Sequence, residues 1–235
     1  MPYTGEVVPG GPTDVRELDE LTVRKATVGP MSNNAYLLTC RATGAQALID
    51  AADEPDRLLA LVREGSVWSR LDLVVTTHRH ADHQQGLAPV VAATGATTAA
   101  GAEDAAGIAV PTVRPLRDGD VLALGNLTLE VVALRGHTPG SIALAYREPA
   151  REPGSAAGPD EATPGRVHLF TGDSLFPGGP GKTAGAPEFG RLLGDLTTRV
   201  FDQFDDTTWV YPGHGADTTL AAERPQLPQW RARGW

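Results

Sequence analysis

Apolar positions along this chain fall into short, dense runs separated by Gly- and Pro-rich breaks. A strand is predicted from about Leu21 to Thr27. Two more, Asn34 to Thr39 and Gln46 to Asp50, flank a Thr43-Gly44 turn, a hairpin signature. From Pro55 to Glu64 the spacing becomes helical, with apolar Leu58, Leu59, Leu61 and Val62, Pro55 in the first turn and Gly65 closing it. Leu71 to Thr76 is a continuous apolar run and reads as a buried strand. The polar stretch Thr77 to His83 follows, then a predicted helix over Gln84 to Thr94 ended by Gly95. Further on, Val121 to Leu124 and Leu127 to Leu134 read as a hairpin about Gly125-Asn126. Ile142 to Tyr146, Val167 to Phe170 and Trp209 to Tyr211 read as strands, and Phe189 to Phe204 as a helix.

Alternating strands and helices in the first half are α/β grammar, and the second half is strand-rich. Residues 1–20 are rich in Pro, Gly and acids and read as a loose N-terminal arm ahead of one domain spanning 21–235. Within it, 148–165 carries no apolar period and reads as a surface insertion.

A length of 235 residues allows a sizeable core without covalent staples. Cys40 is the only cysteine, so an internal disulfide is excluded and any metal would take nitrogen and oxygen ligands. The net charge of −9 argues against a general nucleic-acid binder. No apolar run reaches the roughly 20 residues that span a bilayer, and Met1 to Glu6 does not resemble a signal peptide. A cytoplasmic protein with no membrane partner is expected.

The candidate chemistry lies where strands end. Val75 runs into His78-Arg-His80-Ala-Asp82-His83, and Leu134 into Gly136-His137-Thr-Pro-Gly-Ser141. Phe170 runs into Gly172-Asp173-Ser174, and Tyr211 into Gly213-His214-Gly215. Brought to one edge, these loops supply five of the six histidines and two carboxylates; His168, inside a strand, reads as structural. A catalytic zinc takes three protein ligands and leaves a position for water, so seven ligands suit two divalent ions if one carboxylate bridges. Extended alternation puts His78, His80 and Asp82 on one side, while His83, where the chain turns, can point elsewhere. His78 and His80 could then serve one ion, and Asp82 and His83 the other. Taken singly, Asp82 could be a helix cap, Asp173 a turn residue, and His137 and His214 ordinary loop histidines.

Thr77-His-Arg-His-Ala-Asp-His83, Gly136-His-Thr-Pro-Gly-Ser141, Thr171-Gly-Asp-Ser-Leu-Phe176 and Pro212-Gly-His-Gly215 resemble, in order, the signatures of the metallo-β-lactamase superfamily. The resemblance implies an αββα sandwich of α+β class. It implies that His78, His80 and His137 bind one ion, that Asp82, His83 and His214 bind a second, and that Asp173 bridges them. Asp50 matches an aspartate that stands behind the ligands. Within the superfamily the sequence looks most like the glyoxalase II branch, which hydrolyses glutathione thioesters. Lys182 matches a lysine that contacts the thiol carrier there. Two departures from that branch are the missing tyrosine after Lys182 and the 21 residues following His214, too few for its C-terminal helical domain. The carrier could thus be another small thiol.

The implied activity is hydrolysis of a thioester, or a related ester, by a metal-bridging hydroxide, with Asp82 orienting it or taking a proton. Zinc is the expected metal, with iron or manganese as alternatives, and the expected partner is a small thiol-carrier thioester. Competing readings are a one-iron persulfide dioxygenase, a lactonase of the same fold and a non-catalytic metal-binding protein. Ser141 and Ser174 lack the sharp strand-to-helix turn of a serine nucleophile.

Overall fold

The computed structural model describes residues 2–66, 70–150 and 162–234. The first sheet holds, in spatial order, β1 (Asp14–Glu17), β2 (Leu21–Val28), β3 (Asn33–Cys40), β4 (Gln46–Ile49), β5 (Leu73–Thr76), β6 (Thr97–Gly101) and β7 (Arg114–Leu116). Its pairs are antiparallel as far as β4 and parallel from there on. Parallel neighbours need crossovers. Helix α1 (Pro55–Gly65) makes the one from β4 to β5, and α2 (Leu87–Thr94) the one from β5 to β6.

In the second sheet, β8 (Val121–Leu124), β9 (Leu127–Ala133), β10 (Ile142–Arg147) and β11 (Val167–Gly172) run antiparallel in sequence order. A small hairpin, β12 (Leu175–Phe176) with β13 (Gly179–Pro180), precedes α3 (Ala186–Asp195) and a π-helical turn, Leu196–Phe201. Strand β14 (Trp209–Pro212) then pairs parallel with β11, and β15 (Thr218–Thr219) closes the edge. Short helices α4 (Leu220–Glu223) and α5 (Leu227–Arg233) follow.

Side-chain alternation makes the layers. Leu73 and Val75 of β5 and Ala47 and Ile49 of β4 point between the sheets, against Leu129, Leu144 and Phe170. Val74 and Leu48 point outward, onto Leu58 and Leu61 of α1 and Leu87 and Val90 of α2. On the far side, Val132, Leu169 and Val210 meet Phe189 and Leu192 of α3 and Trp230 of α5. Strands β3, β4, β5 and β11 are buried on both faces, which explains why β5 reads as a continuous apolar run, while β8 and β9 alternate buried and exposed positions. The result is the expected αββα sandwich. Among the described residues no helix is long and apolar enough to cross a membrane.

Several expectations change. Asp14–Glu17, read as part of a loose arm, forms an edge strand on β2, and Tyr3 is buried with its hydroxyl donating to Asp217 Oδ2 at 2.6 Å. The helix read from Gln84 begins at Leu87. The backbone amides of Gln85 and Gly86 are taken instead by the carbonyls of Ala52 and Ala51. Thr97–Gly101 carries little strand propensity, yet it is a strand because β5 and β7 pair with it on both sides. Of the 148–165 segment, residues 151–161 lie outside the described ones.

Candidate metal centre

All four polar loops meet at one edge, where backbone hydrogen bonds join them in two pairs and tie the last loop to β3. Ile142 N donates to Thr77 O (3.0 Å), Gly213 N to Gly172 O (2.9 Å) and Asn34 N to Gly213 O (2.7 Å). The loop after β5 comes from the first sheet, and those after β9, β11 and β14 come from the second. The edge of the sandwich is thus where side chains of both sheets can converge.

His78, His80 and His137 converge first. His78 Nε2 lies 3.1 Å from His80 Nδ1 and 3.2 Å from His137 Nε2. Asp82 Oδ2 is 3.5 Å from His83 Nε2 and 3.4 Å from His214 Nε2. Asp173 stands between the two groups. Its Oδ2 is 3.7 Å from His137 Nε2 and 3.6 Å from His214 Nε2, and its Oδ1 is 3.3 Å from His83 Nε2. His78 and His83 are buried, Asp82, Asp173, His137 and His214 are half-buried, and His80 is exposed. The site therefore opens on the His80 side.

The outer nitrogens decide what the inner ones can do. Thr77 Oγ1 donates to Asp50 Oδ2 (2.8 Å), so it can only accept from His78 Nδ1 (3.1 Å). His137 Nδ1 donates to the Lys182 carbonyl (2.6 Å), His214 Nδ1 to the Met31 carbonyl (3.1 Å) and His83 Nδ1 to Asp50 Oδ2 (2.8 Å). With the protons outside, the Nε2 lone pairs of His78, His83, His137 and His214 face the centre, the arrangement a metal ligand needs. Three nitrogens about 2.0–2.1 Å from a tetrahedral zinc would sit about 3.4 Å apart, close to the spacing seen here. His83 Nε2 and Asp173 Oδ1 are buried and face each other at 3.3 Å with no other hydrogen-bond partner. Such a pair calls for a positive charge between its members. The residues fit a divalent cation at His78–His80–His137, at Asp82–His83–His214, and at His78–His83–Asp173.

Ionisation agrees. Burial, reinforced by the other imidazoles, pushes the His78 pKa well below its usual value and keeps the ring neutral. Burial likewise lowers His80, with His137 adding to it. Burial would raise Asp82 and Asp173, but both are lowered. Asn33 and the His83 charge act on Asp82, and the hydrogen bond and charge of His83 act on Asp173. Burial would lower His83, yet Asp50 and Asp173 carry it up to about 10. In metal-free protein the pocket thus holds its positive charge as a proton on His83.

Asp50 sits in the left-handed region at φ +57, and its carboxylate also accepts from the Thr77 amide at 2.7 Å. Lys182 is exposed, and it is its carbonyl that touches the site. His168 is remote from the site, buried between Glu148 Oε1 (2.9 Å) and Tyr211 OH (2.8 Å).

Three supports went unread in the sequence. Asn33 Nδ2 donates to Asp82 Oδ2 at 2.8 Å. Buried Lys25 donates to the Gly215 carbonyl (2.8 Å) and pairs with Asp217 (2.6 Å), fastening the chain just past His214. Buried Asp104 accepts from the Arg79 amide between His78 and His80. Only proximity to a polar loop marks Asn33, and no local signal marks Asp104 or Lys25.

The family model described as metallo-beta-lactamase superfamily matches residues 28–149. A hydroxyacylglutathione hydrolase of Methylobacterium sp. (strain 4-46) is 35% identical over 207 residues, covering 86% of this chain and 71% of its own. One from Fuscovulum blasticum is 38% identical over 150 residues, covering 64% of this chain and 51% of its own. The chain spans about half to two thirds of the length of several such relatives. Among solved structures, ETHE1 from Myxococcus xanthus superposes with a TM-score of 0.70 at 28% identity, covering 88% of this chain and 83% of that one. TTHA1623 in a di-iron-bound form superposes with a TM-score of 0.61 at 30% identity, covering 84% and 95%.

Proposed function

This chain belongs to the metallo-beta-lactamase superfamily, and from that membership we propose that it is a two-metal hydrolase cleaving a thioester of a small thiol carrier. The observation carrying this reading is the position of Asp173, within 3.7 Å of His137 Nε2 on one side and 3.6 Å of His214 Nε2 on the other. His78, His80 and His137 would hold one ion, Asp82, His83 and His214 the other, and Asp173 would belong to both. Zinc suits nitrogen and oxygen donors in this number; iron is the alternative.

Divalent ions, when bound, lower the pKa of coordinated water to about 7 and polarise a carbonyl. The chain's own groups do the rest. Asp82 is ionised and aimed by Asn33, so it can orient a water at the site and accept its proton. Hydrolysis forms the acyl C–O bond and breaks the C–S bond, and the proton on Asp82 then passes to the departing thiolate. The buried His78 and His83 form a dry floor, and substrate enters over His80. The 177–187 loop carries Lys182 and borders His137 through the Lys182 carbonyl, which supports a contact between the exposed Lys182 side chain and the carrier.

The hydroxyacylglutathione hydrolase names of the relatives support a thioester as substrate. A second reading rests on one observation: His78, His83 and Asp173 make a set of two histidines and a carboxylate, the facial arrangement of one-iron oxygenases. Metal analysis of the purified protein, with a panel of thioester, lactone and persulfide substrates, separates the readings. Two ions per chain and thioester turnover without oxygen uptake support the hydrolase. One iron with oxygen consumption on a persulfide overturns it.

A further inference from the structure

Asp104 follows β6 in the first sheet and is completely buried. Its Oδ2 accepts from the Arg79 amide at 3.0 Å and from Thr138 Oγ1 at 2.5 Å, and its Oδ1 accepts from the Gly140 amide at 2.9 Å. Arg79 lies between His78 and His80, and Thr138 follows His137. One carboxylate oxygen therefore spans the two chain segments whose imidazoles must meet.

The hydrogen-bond directions around Thr138 are determined. Its hydroxyl proton goes to the carboxylate, so Ser141 Oγ, 2.6 Å away, donates to Thr138 Oγ1. Ser141 Oγ in turn accepts from the Thr138 amide at 3.1 Å. The turn after His137 is thus closed on itself and anchored to Asp104. A second tie, Ile142 N to Thr77 O, joins the same segments through backbone alone, and a side-chain substitution leaves it in place. Asp104 touches none of Asp82, His83 and His214 in any hydrogen bond or ion pair of the described residues.

We propose that Asp104 is a positioning residue for one half of the centre: it sets the spacing of His78, His80 and His137 and so controls the affinity of that triad for its cation, leaving the Asp82–His83–His214 set unaffected. The inference rests on the metal-centre reading above. Charge-assisted hydrogen bonds to backbone amides are strong, and loss of the groups that orient metal ligands typically costs about 10–100-fold in affinity.

The test is zinc titration of metal-free wild type, Asp104→Ala, Asp104→Asn and Thr138→Val. Native mass spectrometry counts ions per chain, and thermal melts of each metal-free protein run in parallel. His80→Ala and Asp82→Ala serve as references for losing one set or the other. The expected result is that Asp104→Ala needs tenfold or more zinc to fill one ion and reproduces the His80→Ala pattern, with the other ion held as in wild type. Thr138→Val, which removes one of the bonds to Asp104, shows a smaller loss at the same ion and keeps the proposal testable if the Asp104 variants do not fold. A role in folding alone would lower the metal-free melting temperature without shifting one ion relative to the other, and that outcome overturns the proposal. So does equal weakening of both ions. Wild type that takes no zinc overturns the metal-centre reading itself. Wild type that takes zinc while all three variants match it overturns the role of Asp104 alone.

Discussion

Asp50 Oδ2 accepts a hydrogen bond from His83 Nδ1 at 2.8 Å, and both side chains are buried. Oδ1 of the same carboxylate accepts from the Thr77 amide, so Asp50 ties the His83 imidazole to the start of the polar loop that carries it. Asp50→Asn keeps the shape but removes the charge and puts a donor against a donor. Metal affinity should fall about 10–100-fold with the fold retained. Chelator competition against wild type measures it.

His83 also sets a pH dependence in metal-free protein. Its folded pKa, about 10, exceeds the ordinary 6.5, so its stabilisation is fully present below pH 6.5 and is lost as pH rises through 10. Melting temperatures of metal-free wild type should therefore decline across that window relative to Asp50→Asn, since the difference cancels groups elsewhere. A flat difference between the two curves would count against the assignment. Zinc held by His83, as proposed, would have to displace its proton, so apparent zinc affinity should rise with pH over the same range.

Asp173→Ala removes the carboxylate that stands between the two sets and is proposed to serve both ions. Bound metal and activity should be lost together, activity by on the order of 100-fold or more, given the several kcal/mol that metal-ion catalysis supplies. Metal content and kcat/KM on one preparation check this, and full activity in the variant would exclude the bridging role.

Gly213 separates local crowding from backbone strain. A Cβ there would collide with Asp173 Oδ1 and lie 2.7 Å from His83 Cε1. Gly213→Ala should therefore cost metal and activity. Gly136→Ala should instead lower stability by about 1–3 kcal/mol, because its φ is +140 and a Cβ there would meet Leu192 Cβ at 2.6 Å. Denaturation curves alongside metal content distinguish the two.

Lys182 reaches His137 through its carbonyl, which a side-chain substitution preserves. Lys182→Ala should leave metal content unchanged and raise KM several-fold with kcat retained, the signature of lost uniform binding. An unchanged KM would remove the side chain from the substrate site.

Much of this was legible along the chain. Strand-length apolar runs, the Gly95 stop and the Gly44 turn are local signals, because backbone sterics and side-chain alternation act over a few residues. The motif Thr77 to His83 was legible for the same reason: its four candidate side chains lie within one short loop, and the fold groups His78 both with His80 and with His83. What joins them was not. Asp104 meets Thr138 across 34 positions, Asp50 meets His83 across 33, and Lys25 meets Asp217 across 192. Tyr3 and Asp14–Glu17 pack against the body of the fold because Tyr3 meets Asp217, 214 positions away, and β1 pairs with β2. Local pattern was enough to show which residue types could hold a cation and which strands would carry them. The fold set which imidazole nitrogens face inward, because the Nδ1 protons of His83, His137 and His214 are held by Asp50, Lys182 and Met31, which lie far away in sequence; only the His78 acceptor, Thr77, is local.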